Sequence, residues 1–478
     1  MTIYKMLKIF LLVISSILIA NAQLQIEHAQ LQIEHAQVQI EPKLVNKNVE
    51  RSIDLTSQLV KITATITLEN IGTSPISNYL VVLEPATEGN LSFISAKDAL
   101  KEDLKIKPVV VNSHKDKVFY NLALKQPVGA SRTATIILEC VFTGAVEPYP
   151  HEIAQKDKQL VRYYGSHYFY TPYKTTKQTT TVTLSSRNIE NFTKLKPVSQ
   201  SETAINYGPY TDITPFSLDV MNIHYENNSP FLTVTRLQRL IEISHWGNIA
   251  VEENIDIIHS GATLKGPFSR YDYQRDTSSN HHSIKSYKTI LPAAAYNIYY
   301  RDSNGNISTS TVRTKKDWIE LELRPRFPLF GGWRSSYTLG YNVPSYQYLY
   351  KKGGNEYVLS MRLLDHIYDD MYVEELETNV VLPVGVKNVK LSTPYEVQRL
   401  EDGKTYKYLD NLGRVVIRLK KTNLVEQHIQ DLEITYEWDT ILLIHEPILL
   451  ALALFVLFII VIIYVRLDFS INKSEKKE

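Results

Sequence analysis

Cysteine is nearly absent from this 478-residue chain, which contains a single one, Cys140. A lone thiol cannot form a disulfide within its own chain, so each domain must be held together by burial of its core. Cys140 lies in the apolar run 135–142, where a small buried core residue is the simplest interpretation. The cysteine content therefore excludes a disulfide-stapled scaffold.

An excess of charge of one sign is also lacking. The 52 Lys and Arg residues nearly balance the 51 Asp and Glu residues, which gives a formal net charge of +1. Such a chain has no global field that would attract nucleic acid or an anionic substrate. Basic stretches with interleaved aromatic residues are missing as well, so we predict no nucleic-acid partner.

Recognisable catalytic and metal-binding motifs are missing too. Residues 151–155 (HEIAQ) approach the zinc-protease motif H-E-x-x-H, but Gln155 replaces the second histidine ligand. His281 and His282 lie in a serine-rich stretch, which favours a solvated loop. The chain has no nucleophile elbow, P-loop or dinucleotide-binding glycine pattern. We predict that it is not an enzyme by itself and that it binds no metal and no cofactor.

Two long apolar runs indicate where the chain resides. Lysines precede the uncharged run 9–20, and a small-residue site follows it, as in a cleaved signal peptide. The second run, 447–465, contains no charged residue and would be about 28 Å long as a helix, enough to cross a bilayer. Lys and Arg residues follow this run, whereas 422–446 contains no Lys or Arg, so the positive-inside rule places the C-terminus in the cytosol. We predict a single-pass type I membrane protein.

Asn-x-Ser/Thr sequences mark candidate glycosylation sites on the predicted luminal side. They lie near turn-forming residues, as expected of loops that an oligosaccharide can reach. A further sequence of this type begins at Asn472, in the predicted cytosolic tail, and we expect it to stay unmodified. The predicted glycosylation sites are Asn90, Asn191, Asn227 and Asn306.

The region between the two apolar runs is predicted to be mainly β. Segments such as 62–68 and 319–324 alternate strictly between apolar and polar residues. The 31 tyrosines and several threonine-rich runs suit half-buried, pleated strands. Frequent turn signals between the strands favour β-sandwiches. One helix is expected within 151–161.

A faint internal repeat suggests two domains of one kind. Residues 49–55 (VERSIDL) resemble residues 237–243 (LQRLIEI), and Asn, Ser and Pro cluster at 225–230, where a boundary is expected. The predicted fold is therefore two luminal β-sandwich-like domains followed by one transmembrane helix. The predicted segments are a signal peptide (1–22), a repeat-containing extension (23–45), a first β domain (46–228), a second β domain (229–440), the transmembrane helix with its luminal edge (441–465) and a cytosolic tail (466–478).

Two segments have the composition of contact surfaces. Residues 270–275 (RYDYQR) form a predicted loop rich in Arg and Tyr, the residue types that dominate binding hot spots. Residues 324–334 combine Pro and Gly with aromatic side chains, which favours either a protein-facing surface or a loop that closes over its own core. The candidate partner or substrate contacts are Arg270, Tyr271, Tyr273, Arg275, Phe330 and Trp333.

Six stretches of the chain match one known family. They are 245–275, 289–295, 299–302, 324–333, 423–431 and 463–470. In these stretches the chain closely resembles ribophorin I, whose family provides a subunit of the endoplasmic-reticulum oligosaccharyltransferase. The resemblance spans roughly 46–473 and excludes the N-terminal repeat.

The resemblance implies a non-catalytic subunit in the endoplasmic-reticulum membrane. The family's complex transfers a preassembled oligosaccharide from dolichyl diphosphate to Asn of Asn-x-Ser/Thr sites, with catalysis in a separate subunit. The implied roles are complex assembly and substrate presentation. The implied partners are the catalytic and small membrane subunits, nascent polypeptides and the lipid bilayer. The alternative is an independent membrane-tethered luminal chaperone or cargo-binding protein.

Overall fold

A computed structural model describes residues 39–275, 282–407, 410 and 412–467. The predicted signal peptide, nearly all of the N-terminal repeat and nearly all of the predicted cytosolic tail lie outside these residues. Strands dominate the described chain, so the prediction of a mainly β fold with one C-terminal apolar helix is confirmed.

The chain divides into two compact units. Unit 1 comprises Met1–Tyr149 and Leu160–Asn227, and unit 2 comprises Pro150–Gln159 and Asn228–Glu478. The chain thus enters unit 2 briefly before it completes unit 1. In this excursion, strand β9 (Glu152–Ile153) pairs in parallel with β18 (Thr263–Leu264). The helix expected within 151–161 is wrong, because the backbone there bonds to β18 and then enters a strand of unit 1.

The described part of unit 1 contains three sheets. The strand orders are β13-β14-β11-β1-β2-β7-β4, β12-β15-β10-β8 and β3-β6-β5. Alternation sets the buried face of the first sheet, as in β2, where every second residue from Ala64 to Leu68 is buried. The strands are β1 (Leu44–Leu55), β2 (Val60–Asn70), β3 (Ile76–Val82), β4 (Leu91–Asp98), β5 (Lys105–Val109), β6 (Phe119–Val128), β7 (Thr133–Phe142), β8 (Val146–Pro148), β10 (Leu160–Ser166), β11 (Thr175–Leu184), β12 (Ile189–Phe192), β13 (Val198–Ser201), β14 (Ala204–Ile213) and β15 (Val220–Glu226), with a 3-10 turn at Glu88–Asn90.

Unit 2 is built around a nine-stranded sheet of order β21-β20-β24-β17-β16-β27-β31-β29, with β30 also on β31. Its core includes side chains from the smaller sheets β25-β26-β32-β28 and β19-β23-β22. The strands are β16 (Leu232–Ser244), β17 (Asn248–His259), β19 (Tyr287–Pro292), β20 (Tyr296–Asp302), β21 (Gly305–Asn306), β22 (Thr311–Thr314), β23 (Trp318–Leu323), β24 (Arg334–Pro344), β25 (Leu349–Gly353), β26 (Glu356–Arg362), β27 (Tyr372–Val381), β28 (Lys387–Ser392), β29 (Gln398–Arg399), β30 (Gly403–Thr405), β31 (Arg414–Val425) and β32 (Asp431–Glu437).

Within the described residues, both α-helices belong to unit 2. A short helix, α1 (Arg270–Arg275), follows β18, and 3-10 turns lie at Ser345–Gln347 and Glu426–His428. The 3-10 turn Thr440–Ile444 leads into the apolar helix α2 (His445–Arg466). With that turn, α2 is long and apolar enough to cross a membrane, and none of its side chains is buried.

The large sheets of the two units share one arrangement. β1 lies between antiparallel β2 and parallel β11, just as β16 lies between antiparallel β17 and parallel β27. The next strands outward also correspond, with β7 beside β2 as β24 is beside β17, and β14 beside β11 as β31 is beside β27. This agreement supports the internal repeat inferred from 49–55 and 237–243.

Candidate functional site

The two segments predicted as contact surfaces meet in unit 2. Together with Phe268, just before the first segment, their rings form an aromatic cluster of Phe268, Tyr273, Phe327, Phe330 and Trp333. The ring of Phe330 lies 5.4 Å from Phe268, 5.7 Å from Tyr273 and 5.4 Å from Trp333, mostly at edge-to-face angles. Aromatic pairs favour such geometry over a parallel sandwich. The cluster therefore fixes the 324–334 segment against the base of α1.

The loop expected at 270–275 is wrong, because these residues form α1. Gly266, with a φ of +83°, and Pro267 separate the preceding strand from the helix. The hydroxyl of Ser269 then accepts a hydrogen bond of 3.2 Å from the backbone N–H of Asp272. A serine oxygen at this position satisfies a donor of the first turn, and an acidic residue there suits the positive end of a helix.

The Pro150–Gln159 segment of unit 2 holds α1 in place. The side-chain amide of Gln155 donates to the carbonyl of Ser269 at 3.0 Å and accepts from its N–H at 2.8 Å. Lys156 adds an ion pair of 3.4 Å with Asp272. Gln155, the residue that breaks the zinc-protease pattern, thus has a structural role that its spacing to His151 did not predict.

Burial divides the six predicted contact residues. Arg270, Tyr271 and Arg275 are exposed, with Tyr271 at 65%, and the guanidinium of Arg275 lies 5.1 Å from the ring centre of Tyr271. Tyr273 and Trp333 are half-buried. Phe330 is fully buried, so in this structure it supports the surface rather than touching a partner. We name the exposed trio Arg270, Tyr271 and Arg275 the α1 surface.

The four predicted glycosylation sites differ in accessibility. Asn191, in β12, and Asn306, in β21, are exposed, and Asn90 is half-buried. Asn227 is fully buried, and its amide donates to the carbonyl of Ser57 at 3.4 Å. An oligosaccharide on Asn227 would have no room in this fold, so Asn191 and Asn306 are the best-placed acceptors.

The histidines of the serine-rich stretch do not both lie in solvent. His281 falls outside the described residues, whereas His282 is buried, with its ring 5.5 Å from that of Phe330. Its carbonyl accepts a 2.7 Å hydrogen bond from the ring of His259. The solvated-loop expectation is therefore wrong for His282, because aromatic packing draws it into the core. Among the described residues, no group of three or more His, Cys, Asp or Glu side chains could hold a metal ion.

Unit 2 contains a buried ionic cluster that the sequence analysis missed. Arg239, in β16, is 1% exposed and donates to Glu253 and, at 2.8 Å, to Asp365. The hydroxyl of Tyr341 also donates to Asp365. Burial, together with the charge of Asp365, raises the pKa of Glu253 to about 7 although Arg239 opposes that shift. We name these four residues the Arg239 cluster.

Unit 1 buries an arginine at the corresponding place in β1. Arg51 donates to the backbone carbonyls of Ser166, His167 and Tyr168 at 2.6, 2.8 and 3.3 Å. Its nearest carboxylate is Glu84, at 3.6 Å, and burial raises the pKa of Glu84 to about 7 against the pull of Arg51. Both arginines fall in phase with the buried apolar residues of their strands. That phase is the signal that could have revealed them.

Comparison with known proteins gives a consistent result. A family model described as Ribophorin I matches residues 44–465. Subunit 1 of the dolichyl-diphosphooligosaccharide–protein glycosyltransferase of Caenorhabditis elegans is 44% identical, covering 90% of this chain and 74% of the relative. Subunits 1A and 1B of the same enzyme from Arabidopsis thaliana are 35% and 36% identical, covering 90% and 89% of this chain and 71% and 94% of the relatives.

The likeness to solved structures of yeast LTA4 hydrolase adds nothing to this result. Native yeast LTA4 hydrolase aligns with a TM-score of 0.25 and 7% identity, covering 38% of this chain and 29% of that one. A likeness this weak carries no argument about fold or function.

Proposed function

The chain belongs to the ribophorin I family, as its sequence predicted, and from that premise we propose that it is an accessory, non-catalytic subunit of the oligosaccharyltransferase. This complex transfers a preassembled oligosaccharide from dolichyl diphosphate to Asn of Asn-x-Ser/Thr sites in nascent polypeptides. The observation that carries the proposal is the match, over 90% of the chain, to relatives named as subunit 1 of that enzyme. The chain's residence is then the endoplasmic-reticulum membrane.

Membership of the complex is the first part of the proposal to test. Purification of the tagged full chain in mild detergent should recover the catalytic subunit and the small membrane subunits. A control chain in which an unrelated apolar helix replaces α2 separates assembly through the membrane from assembly through the luminal units. Purification of the intact chain without the catalytic subunit would contradict the proposal.

The proposed topology is type I, with both units in the lumen and the C-terminus in the cytosol. It rests on the apolar character of α2 and on the basic residues after 465. Peptide mapping after endoglycosidase digestion should find Asn191 and Asn306, the exposed candidates, to be glycosylated. Asn472 should be unmodified. A glycan on Asn472 would show that the C-terminus lies in the lumen and would contradict the proposed orientation.

Substrate presentation is the proposed task of the α1 surface. Its arginines and its tyrosine have the composition of binding hot spots, and the aromatic cluster beneath gives them a rigid base. Arg270→Ala with Arg275→Ala should weaken cross-linking to nascent chains without lowering the unfolding temperature. Arg187→Ala, at an exposed arginine of unit 1, is the matched control. Unfolding of the double variant, or unchanged cross-linking, would count against this role.

A membrane-tethered chaperone that acts without the complex is the alternative function. The α1 surface is as consistent with this chaperone as with the accessory subunit, because an exposed surface of Arg and Tyr can bind any extended polypeptide. It predicts that the purified chain binds unfolded clients in the absence of every other subunit. Client binding that depends on the assembled complex supports the accessory role instead.

A further inference from the structure

A cleft of unit 2 opens beside the start of α2. It has a volume of about 390 Å³, and its lining includes Glu242, Trp246, Arg414, Trp438, His445 and Glu446. Trp246 lies in the turn that joins β16 to β17, and Arg414 begins β31. The lining comes from four separate stretches of the chain, within 242–250, 383–384, 414 and 438–446, and the last of these includes the first turn of the apolar helix. We name this space the membrane-proximal cleft.

Helix length fixes the depth of this cleft, given the proposed function in which α2 spans the bilayer. The uncharged run 447–465 is about 28 Å long and fills a hydrocarbon core of about 30 Å. Glu446 then lies in the headgroup layer, which adds roughly 5–7 Å on each side of that core. The guanidinium of Arg414 donates to Glu446 at 3.3 Å, so it lies at the same level. The cleft thus faces phospholipid headgroups.

The rim of the cleft suits a bilayer surface rather than water. Trp246 is 68% exposed and Ile441, just before α2, is 71% exposed. Tyr346, on the turn that follows β24, is also exposed, and the neighbouring Ser345 N–H bonds to the carbonyl of Gly247 at 3.1 Å. Trp and Tyr side chains concentrate at membrane interfaces, where an apolar ring and a polar edge are both solvated.

Charge in the cleft selects the kind of headgroup. Glu242 and Glu446 both pair with Arg414, at 3.1 and 3.3 Å, so two carboxylates face one guanidinium along the lining. Lys407 adds a second cation at Glu242, and Asp410 a third carboxylate at Arg414. Carboxylates exceed cations, which disfavours an anionic headgroup. An ammonium group matches the carboxylates and the face of an exposed tryptophan.

We propose that the membrane-proximal cleft binds the headgroup of a zwitterionic phospholipid of the surrounding bilayer. Its ammonium would lie against Glu242, Glu446 and Trp246, and its phosphate against Arg414. Such a contact fixes the height of unit 2 above the membrane. It would thereby hold the α1 surface at a constant level relative to the membrane plane.

Depth is tested by fluorescence of the full-length chain in phosphatidylcholine vesicles that contain a choline-attached nitroxide lipid. Trp246→Phe should remove most of the quenching by the nitroxide. Trp318→Phe is the matched control, because Trp318 is also exposed but does not line the cleft, and it should leave the quenching in place. Quenching of Trp246 by aqueous iodide but not by the nitroxide overturns the proposal.

Headgroup class is tested by native mass spectrometry of the chain released from mixed phosphatidylcholine and phosphatidylglycerol vesicles. The proposal expects retained phosphatidylcholine and loss of that preference in Glu242→Gln with Glu446→Gln. Equal retention of both lipids, or displacement of the lipid by a free oligosaccharide, overturns it. Membrane insertion is measured separately, by flotation of the chain with alkaline-washed vesicles. A chain that does not float with them would contradict the proposed membrane span itself, whereas the two experiments above test the headgroup site.

Discussion

The two units of this chain contain large sheets with the same strand arrangement. Each sheet buries an arginine at an equivalent position, but the two arginines are neutralised in different ways. Arg51 lies opposite Thr180 of the parallel neighbour β11, and Arg239 lies opposite Thr378 of the parallel neighbour β27. In unit 1 the guanidinium is held mainly by neutral backbone carbonyls. In unit 2 it is held by the carboxylates of the Arg239 cluster.

This difference shows that position and partner are separable. Repeated strand pairing fixes where the arginine lies, but the loops that follow determine what it binds. Backbone acceptors tie Arg51 to a chain segment, the link between β10 and β11, whereas the carboxylates tie Arg239 to β17 and to the loop after β26. Unit 2, which carries the α1 surface and the helix, therefore depends on a buried charge balance that unit 1 largely avoids.

The largest effect is expected from Arg239→Met. It leaves Glu253 and Asp365 buried without their cation, and breaking a buried ion pair from one side costs about 3–5 kcal/mol. Hydrogen exchange measured segment by segment should show loss of protection across β16 and β17, with unit 1 unchanged. Arg236→Met, at an exposed arginine of the same strand, is the control and should have little effect. Equal loss in both variants would show that the cluster contributes nothing specific.

A smaller effect is expected from Arg51→Met. The variant leaves buried backbone carbonyls without a donor, and each such unsatisfied acceptor costs about 1–3 kcal/mol. It removes the cation from only one carboxylate, Glu84, which is partly accessible to water. Protection should fall across β1 and β2 by less than Arg239→Met lowers it across β16 and β17. Lys47→Met, at an exposed lysine of β1, serves as the control. A reversed order of the two arginine variants would refute the contrast between the units.

The pH dependence should be shared by the units. The pKa of Glu84 and that of Glu253 are both raised to about 7 in the fold, from an ordinary 4.5. Each folded unit therefore binds a proton that its unfolded chain has released, so the stabilisation is complete below pH 4.5 and is lost as pH rises through 7. Between pH 6 and pH 8, the free energy of unfolding of each of the two units should fall by about 1 kcal/mol in total. Glu84→Gln and Glu253→Gln should each flatten the profile of their own unit alone.

The smallest effect is expected from the threonines opposite the arginines. Thr180 accepts a 3.3 Å bond from Arg51, whereas Thr378 donates to the carbonyl of Leu363 at 3.3 Å and does not serve the Arg239 cluster. Thr180→Val and Thr378→Val should each cost about 1 kcal/mol or less. Only Thr180→Val should cost less in the Arg51→Met background than in the intact chain, and the remainder reflects the 3.0 Å bond that Thr180 also accepts from Gln178. A double-mutant cycle measures the difference. Coupling of Thr378 to Arg239 would mean that the two sites are more alike than described.

Local pattern predicted the strands but not their partners. Alternation in 62–68 and 319–324 correctly indicated β2 and β23, and the 49–55 and 237–243 repeat pointed to equivalent strands. Parallel pairing of β1 with β11 joins residues more than a hundred positions apart, which no local signal encodes. The helix at 270–275 was missed because much of what stabilises it is tertiary, through Gln155 and the aromatic cluster.

The sequence predicted which residue types form the candidate site, but it did not predict which of those side chains are exposed. Arg270, Tyr271 and Arg275 were found from residue type, and the structure leaves them accessible. Phe330, predicted from residue type, and Asn227, predicted from an Asn-x-Ser/Thr sequence, are both buried, because neither signal says which face of a segment the core occupies. The membrane-proximal cleft has no local sequence signal, since its lining comes from four separate stretches.

The accessory role is tested most directly by site-resolved glycan occupancy after depletion of this chain. The account predicts that a subset of Asn-x-Ser/Thr sites on client glycoproteins becomes under-occupied, and that the intact chain restores occupancy when it is re-expressed. Normal occupancy at every site, together with clients that fold or leave the endoplasmic reticulum poorly, would contradict the account and favour the independent chaperone.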